Sequence, residues 1–284
     1  MPVETPSTVV SVVLPVYAGD DPDQFEAALA SVAGQTQTEL ECLIVVDGPI
    51  GAELTARLEG AVERDGRFRA IRLAENRGPG VARNRGIAEA AGRYVALLDA
   101  DDLAEPERFA RQRAHIEATG ATLVGSWYYR IGDAGDVRDV KRLPVSAAAV
   151  RRWMPLLDPI ANSTVFARTD ALRAHPFRED YRYGEDYDVW VRLALAGHVL
   201  CNLPEPLVRL RVGSGFLDRR GGWSRFRTDL ANKMRATGLY PVWARPALWP
   251  IVFGLAACRL LPAPALRTVY RIRDGLRFGA AAGR

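Results

Sequence analysis

Residues 91 to 106 read Ala91-Gly92-Arg93-Tyr94-Val95-Ala96-Leu97-Leu98-Asp99-Ala100-Asp101-Asp102-Leu103-Ala104-Glu105-Pro106. Residues 94–98 form an apolar run short enough for a buried strand. It ends directly in three carboxylates, Asp99, Asp101 and Asp102. Carboxylates repel one another and resist burial, so a cluster at a strand end needs a cation or a solvated rim. Oxygen-rich clusters select hard ions such as Mg²⁺ or Mn²⁺, usually shared with substrate phosphates. Read locally, the same residues also fit a polar turn capping the next helix, with Asp102 as N-cap and Pro106 in its first turn.

The flanking sequence supplies the sheet that this strand belongs to. Residues 8–14 are β-rich and apolar, and Phe25, Ala28, Leu29 and Val32 recur at helical spacing within 24–32. Strands follow at 41–46 and 70–73, with helices at 52–64 and 80–91, the latter ended by Gly92. This alternation predicts a parallel sheet with helices on both faces. Ligands of such sheets bind beyond the carboxyl ends of the strands. Pro15, Val16 and Tyr17, then Asp47 and Gly48, then Asp99 to Asp102 all stand at such ends, so they gather on one rim.

The second half is expected to be mixed and less regular. A helix is expected from Pro106 to 118, then a strand over 121–129 and a turn at 132–135 between antiparallel strands. Residues 187–196 predict a helix ended by Gly197, followed by a short strand at 198–202. Leu203-Pro204-Glu205-Pro206 predicts a chain break before a last strand at 207–212. Helices are expected at 225–237 and 242–277, broken at Pro246, Pro250, Pro262 and Pro264.

Composition narrows the class. The 284 residues suffice for one α/β domain with an appendage, and 48% hydrophobic content supports a sizeable core. Cys42, Cys201 and Cys258 are widely spaced, which argues against a disulfide scaffold or zinc site and fits a reducing cytosol. The scattered His115, His175 and His198 read as structural. Residues 1–6 lack the basic and apolar segments of a secretory signal, and no apolar stretch is long enough to cross a bilayer. The net charge of +4 hides a split: from Arg219 onward there are 13 Lys and Arg against Asp229 and Asp274, about +11, leaving about −7 for residues 1–218. Arginines interleaved with Trp243, Trp249 and Phe253 suit an interfacial membrane contact, or a helical extension packed on the preceding domain. No nucleic-acid motif is present.

The sequence resembles the family-2 inverting glycosyltransferases of the GT-A fold. Six blocks in the family's order carry the resemblance: Val9 to Tyr17, Ser31 to Thr36, Leu43 to Gly48, Asn76 to Gly86, the Asp99 cluster, and Gly184-Glu185-Asp186-Tyr187-Asp188-Val189-Trp190. They span roughly residues 9–212. The resemblance implies a nucleotide-diphospho-sugar transferase fold: a Rossmann-like, mostly parallel sheet with an acceptor-side mixed region and a helical C-terminal extension. It divides the chain into a catalytic domain at 1–218, with a nucleotide-binding half at about 8–105 and an acceptor half at about 106–218, and a basic helical extension at 219–284.

Site residues follow from the same resemblance. Pro15, Val16 and Tyr17 flank the base, and Asp47 accepts a ring N–H, favouring uracil or thymine. The family's first Asp of that block is Val46 here. Asn76, Gly78 and Arg83 lie near the nucleotide, with Arg83 paired to phosphate or to Asp99. Asp99, Ala100 and Asp101 form the Asp-x-Asp motif, in which Asp101 leads as ligand to Mn²⁺ or Mg²⁺ and Asp99 faces the ribose or the metal's water. Asp186, beside Glu185, is the base of a single displacement, at a helix start that favours a carboxylate. Helix capping alone would also explain these acids. The His that many members carry after the last strand is missing, and Arg211 or Ser214 is expected to meet the diphosphate instead.

The implied activity is transfer of a sugar from a UDP- or dTDP-sugar to a saccharide or lipid-linked hydroxyl. The expected setting is cell-surface glycan or glycolipid assembly in the cytoplasm, at the inner face of the plasma membrane if 219–284 binds there. Two other readings compete. A non-catalytic nucleotide-sugar-binding or scaffold protein would not need both Asp101 and Asp186. A sugar-nucleotide pyrophosphorylase would want a basic glycine-rich loop after the first strand, where this chain has the acidic Ala18-Gly19-Asp20-Asp21.

Overall fold

A computed structural model of the chain describes residues 8–213, 221–262, 264–266 and 268–269. Four parallel strands form its first half: β1 (Val10–Val16), β2 (Leu40–Val46), β3 (Phe68–Arg72) and β4 (Tyr94–Leu97), in the spatial order β3-β2-β1-β4. Every residue of β4, and all of β1 except Pro15, is buried, as expected where helices cover both faces. α1 (Pro22–Ala33) and α2 (Ala52–Arg64) cover one face, setting Phe25, Leu29, Leu54 and Leu58 on Val12, Leu14 and Ile44. α3 (Pro79–Glu89) covers the other, with Ala82 and Ile87 on Val13, Leu43 and Leu97.

Register decides where the strand ends meet. Val16 pairs with Val46, and Val13 pairs with Leu97. The chain therefore leaves β1, β2 and β4 on the same edge. Strand order reverses between β1 and β4, which opens the crevice where such sheets bind ligands.

The same sheet continues through strands of mixed direction. β4 pairs antiparallel with β8 (Phe166–Arg168), and β8 pairs antiparallel with β6 (Leu123–Ile131). β6 pairs in parallel with β9 (Leu200–Arg211), which ends against the short β5 (Leu103–Ala104). β7 (Val137–Lys141) forms the expected hairpin on β6. α4 (Arg108–Thr119) shares the face of α1, whereas α5 (Ala147–Trp153), α6 (Thr169–Ala174) and α7 (Glu185–Leu195) share that of α3. Trp190 and Leu193 of α7 are fully buried there, four and seven residues beyond Asp186. α8 (Trp223–Ala236) packs on α7, and α9 (Arg245–Ala257) packs on α8.

The sequence expectations need correcting at several points. Leu203-Pro204-Glu205-Pro206 does not end a strand. β9 runs through it, because the register against β6 shifts twice beside Trp127 and lets Pro204 and Glu205 drop out of the ladder. Pro250 does not break α9, since the exposed helix tolerates the lost backbone bond. Asp102 is not a helix cap: α4 starts after Glu107, with Pro106 outside it. α5, β8 and α6 were not anticipated. The expected domain boundary at 218 and the Ser214 contact lie outside the described residues, as does the end of the expected 242–277 helix.

Gly86 shows how closely α3 must lie on the sheet. A Cβ there would come within 2.5 Å of Val13 Cγ1 and 3.1 Å of Val45 Cγ2. Both neighbours are buried and stiff at χ1. Gly86→Ala should cost ~1–3 kcal/mol by overpacking. Thermal unfolding should fall by about 2–4 °C per kcal/mol in a chain of this size. An unchanged midpoint would mean that α3 is not seated this tightly.

Candidate active site

The rim loops after β1, β2 and β4 carry the expected residues. Val16 and Ala100 are core residues, 1% and 4% exposed, so their backbones are the parts available to a ligand. Pro15 is half-buried. Tyr17 is 48% exposed, and its ring covers Gly19 so closely that a Cβ there would sit 2.5 Å from Cε2. Tyr17 N–H donates to Asp20 Oδ2 at 2.8 Å, which turns the Asp20 carboxylate back toward the rim.

Asp47 is buried and organises the loop before α3. Its Oδ1 accepts from Arg77 N–H at 2.8 Å and its Oδ2 from Gly78 N–H at 2.9 Å, while Asn76 Nδ2 donates to its backbone carbonyl at 3.2 Å. Gly78 precedes α3 with φ +91°, a conformation costly for any residue with a Cβ. Arg77 and Arg85 are solvated and paired with Glu179 and Glu89.

Arg83 lies at the centre. Its guanidinium is 7% exposed and bridges Asp99 Oδ1 and Glu185 Oε1, each at 2.8 Å. It thus pairs with Asp99, one of the two partners the sequence reading allowed, and with Glu185 as well. Burial works against the cation, but Asp99 and Glu185 outweigh it and hold the proton more tightly than usual. Asp99 also accepts from Asn162 Nδ2 at 3.1 Å and Ser163 Oγ at 2.9 Å. Burial would raise its pKa, yet Arg83 and these bonds hold it below the ordinary carboxylate range. Both Asp99 oxygens thus accept hydrogen bonds that fix the carboxylate in place.

The neighbouring acids are less well compensated. Asp102 is 3% exposed and accepts from Arg211 N–H at 2.8 Å. Burial, then Asp101 and Asp99, push its pKa well above the usual range. Asp20 is raised to about 7 by burial, with Asp101 and Asp99 adding to the effect against the Tyr17 bond. Glu185 is raised to about 6 by burial and by Asp186, against the pull of Arg83. Asp101 and Asp186 are half-buried at the open side of the group. Asp99, Glu185 and Asp186 thus act on one buried bridging cation, with Asp20, Asp101 and Asp102 clustered beside Asp99. A second cation, Arg108, lies beneath them, fully buried and hydrogen-bonded to the Leu97 and Val165 carbonyls. Burial lowers its pKa to about 9, so it remains charged at neutral pH.

Arg211 is held by backbone carbonyls. Its Nε donates to Asp101 O at 3.1 Å and its Nη1 to Gly132 O and Asp133 O at 2.9 and 2.7 Å. It ties the end of β9 to the backbone of the Asp-x-Asp segment. The loop before α7 is gripped from both sides. Asn84 of α3 exchanges two 2.8 Å bonds with the Phe177 backbone. From α8, Asn232 Nδ2 donates to Gly184 O at 2.8 Å, and Arg235 pairs with the fully buried Asp188, which also holds Arg192 Nε at 2.6 Å.

The sequence reading missed Asp20, Asn162, Ser163, Asn84 and Asp188. Asp20 carried a signal, as one of two acids directly after the first strand. Asn162 and Ser163, in a single 3-10 turn about sixty residues from Asp99, carried none.

A carboxyl whose pKa is raised by folding binds its proton more tightly in the folded chain. Its contribution is complete below the unfolded value near 3.9 and is lost as pH rises through about 7 for Asp20. Asp20→Asn should therefore raise the unfolding midpoint at pH 8 by about 2–4 °C, the shift given by ~1 kcal/mol, and change it little at pH 4. An equal shift at both pH values would contradict the crowding of these acids.

Residues 11–174 match the family described as Glycosyl transferase family 2. The amylovoran biosynthesis glycosyltransferase AmsE of Erwinia amylovora is 30% identical over 224 residues, 78% of this chain and 82% of its own length. TarS 1-349 of S. aureus, solved in complex with UDP-GlcNAc, superposes with a TM-score of 0.59 at 18% identity, over 97% of this chain and 95% of that one. The mannosyltransferase PcManGT of Pyrobaculum calidifontis, in complex with GDP-Man and Mn²⁺, gives a TM-score of 0.63 at 17% identity, over 93% and 79%. At these identities the solved structures speak to fold alone, and that fold is GT-A. The family match covers more than half of the chain and a 30% identical relative spans most of it, so the protein belongs to glycosyl transferase family 2.

Proposed function

We propose that the protein is an inverting glycosyltransferase that moves a sugar from a UDP- or dTDP-sugar to a hydroxyl acceptor in cell-surface glycan or glycolipid assembly. One observation carries the reading: Arg83 joins Asp99, at the end of β4 and two residues before Asp101, to Glu185, the residue before Asp186 at the start of α7. The role of AmsE in amylovoran biosynthesis supports the polysaccharide setting.

The donor set suits a hard divalent cation. Asp101 and Asp99 raise the pKa of both Asp20 and Asp102, and clustered carboxylates of this kind attract Mn²⁺ or Mg²⁺. Among the described residues no three metal-type side chains form a cage, which suits an ion held by one or two carboxylates and completed by substrate phosphates. Asp101 would hold it, with Asp99 orienting the motif through Arg83, Asn162 and Ser163. The ion would offset charge on the departing diphosphate. PcManGT, of the same fold, was solved with Mn²⁺.

Asp186 is the better base of the acidic pair. Glu185 spends its carboxylate on Arg83, whereas Asp186 is half-buried at the crevice side. The acceptor O–H gives its proton to the Asp186 carboxylate as the oxygen bonds to the anomeric carbon. The bond from that carbon to the diphosphate oxygen breaks, and the nucleoside diphosphate leaves with the electron pair. Attack opposite the leaving group inverts the anomeric centre. Each Asp47 oxygen spends one lone pair on a backbone N–H and keeps another for a ring N–H of uracil or thymine.

Asp186→Asn should lower transfer by roughly 10²–10⁴-fold, the usual worth of a positioned base, while leaving donor binding nearly intact. The product should carry the anomeric configuration opposite to the donor's, and retention seen by NMR would exclude single displacement. Calorimetry should give tighter binding of UDP- or dTDP-sugars with Mn²⁺ than in EDTA. Equal affinity in EDTA would remove the metal, and preference for a guanosine diphosphate sugar would remove the Asp47 reading.

A further inference from the structure

α9 is apolar around its circumference but is covered on one side only. Residues 246–257 contain no charged side chain. Val252 and Ala256, spaced at i and i+4, are fully buried, and Phe253 meets Phe226 of α8 edge to face at 6.0 Å. The rest of the helix faces water: Trp249, Ile251 and Phe253 are 45%, 51% and 54% exposed. Val242 and Trp243 before it, at 72% and 83%, and Leu260 and Leu261 after it extend the same surface. Helices of this kind are normally buried or in contact with lipid, and a contiguous exposed apolar patch marks an interaction site.

Length and charge select the partner. Thirteen helical residues reach ~20 Å, short of the ~30 Å hydrocarbon core. No described helix is long and apolar enough to cross a membrane. Asp229, one of two acids after residue 218, is paired with Lys233 and Arg259. Arg267, Arg271, Arg273, Arg277 and Arg284 then follow α9 in sequence against Asp274 alone. A second copy would carry the same net positive charge in its C-terminal segment and be repelled. An anionic bilayer offers apolar depth and opposite charge together, and tryptophans favour its interface.

We infer that the α9 face docks on an anionic lipid bilayer as a peripheral contact. The patch lies next to the catalytic-loop segment. α8, beneath α9, donates Asn232 to Gly184 O, and its Arg225 guanidinium stacks on Tyr183 at 3.6 Å from the ring centre. Docking would thus set the Asp186 side of the crevice beside the surface where a lipid-linked hydroxyl lies. That last clause rests on the proposed reaction; the docking itself does not.

The test is cosedimentation of the full chain with vesicles of phosphatidylcholine, alone or mixed with phosphatidylglycerol. The protein should pellet with the anionic vesicles at low salt and be released at 1 M salt, where screening acts within ~3 Å. Each basic side chain near the surface is worth about fivefold in affinity. Tryptophan emission of the wild type should shift to the blue on the same vesicles. The double variant Trp249→Glu, Ile251→Glu, with folding checked by circular dichroism, should bind at least about tenfold more weakly. Protein left in the supernatant with anionic vesicles at low salt would overturn the inference. So would equal binding to both vesicle types, or a wild-type dimer that the double variant splits.

Discussion

Everything at the site depends on a buried guanidinium. Taking Arg83 out of water costs several kcal/mol, which only well-placed opposite charge can offset. Asp99 and Glu185 supply it at 2.8 Å each, from the end of β4 and the start of α7. Breaking such a pair from one side typically costs ~3–5 kcal/mol because a charge is left buried and unpaired. The bridge therefore acts as a ruler. It sets the distance between the strand that ends in the Asp-x-Asp motif and the helix that starts with Glu185 and Asp186.

The remaining contacts hold the two ends of that ruler. Asn162 and Ser163 fix Asp99 from the turn before β8, and Asp47 fixes the loop that feeds α3. α3 can then seat Arg83, because Gly86 lets the helix lie directly on Val13 and Val45. On the far side, Asn84 and Asn232 hold the loop before α7, and Asp188 binds Arg192 of its own helix and Arg235 of α8. α8 is thus part of the support for the start of α7. Asp101 and Asp99 add negative charge beside Asp20 and Asp102 and raise the pKa of both, a concentration of charge that the proposed cation would offset.

Much of this was legible in residue order. Short apolar runs marked β1, β2 and β4, and their carboxyl ends put Tyr17, Asp47 and the Asp99 cluster on one rim. Arg83 was read correctly in one of its two options, as the partner of Asp99. Its second partner was not legible, because Glu185 lies 102 residues away and no pattern links the two. The motif match placed Val16 and Ala100 in the rim loops but could not show that their side chains are buried. Pro204 and Pro206 were read as a break because a proline's lost hydrogen bond is visible in sequence, whereas the register shift that accommodates it depends on β6. β8 and the turn before it are three residues each, too short for any periodicity.

The most direct test of the bridge is the single-turnover transfer rate of Arg83→Lys, with folding checked by circular dichroism and donor affinity by calorimetry. A lysine keeps the charge but cannot contact two carboxylates in a fixed fork. With α7 no longer set against β4, the rate should fall about 10²-fold, as expected for a misplacement of about 1 Å, while the folded chain still binds donor. A rate close to that of the wild type would contradict the account, because Asp101 and Asp186 would then keep their places without the bridge.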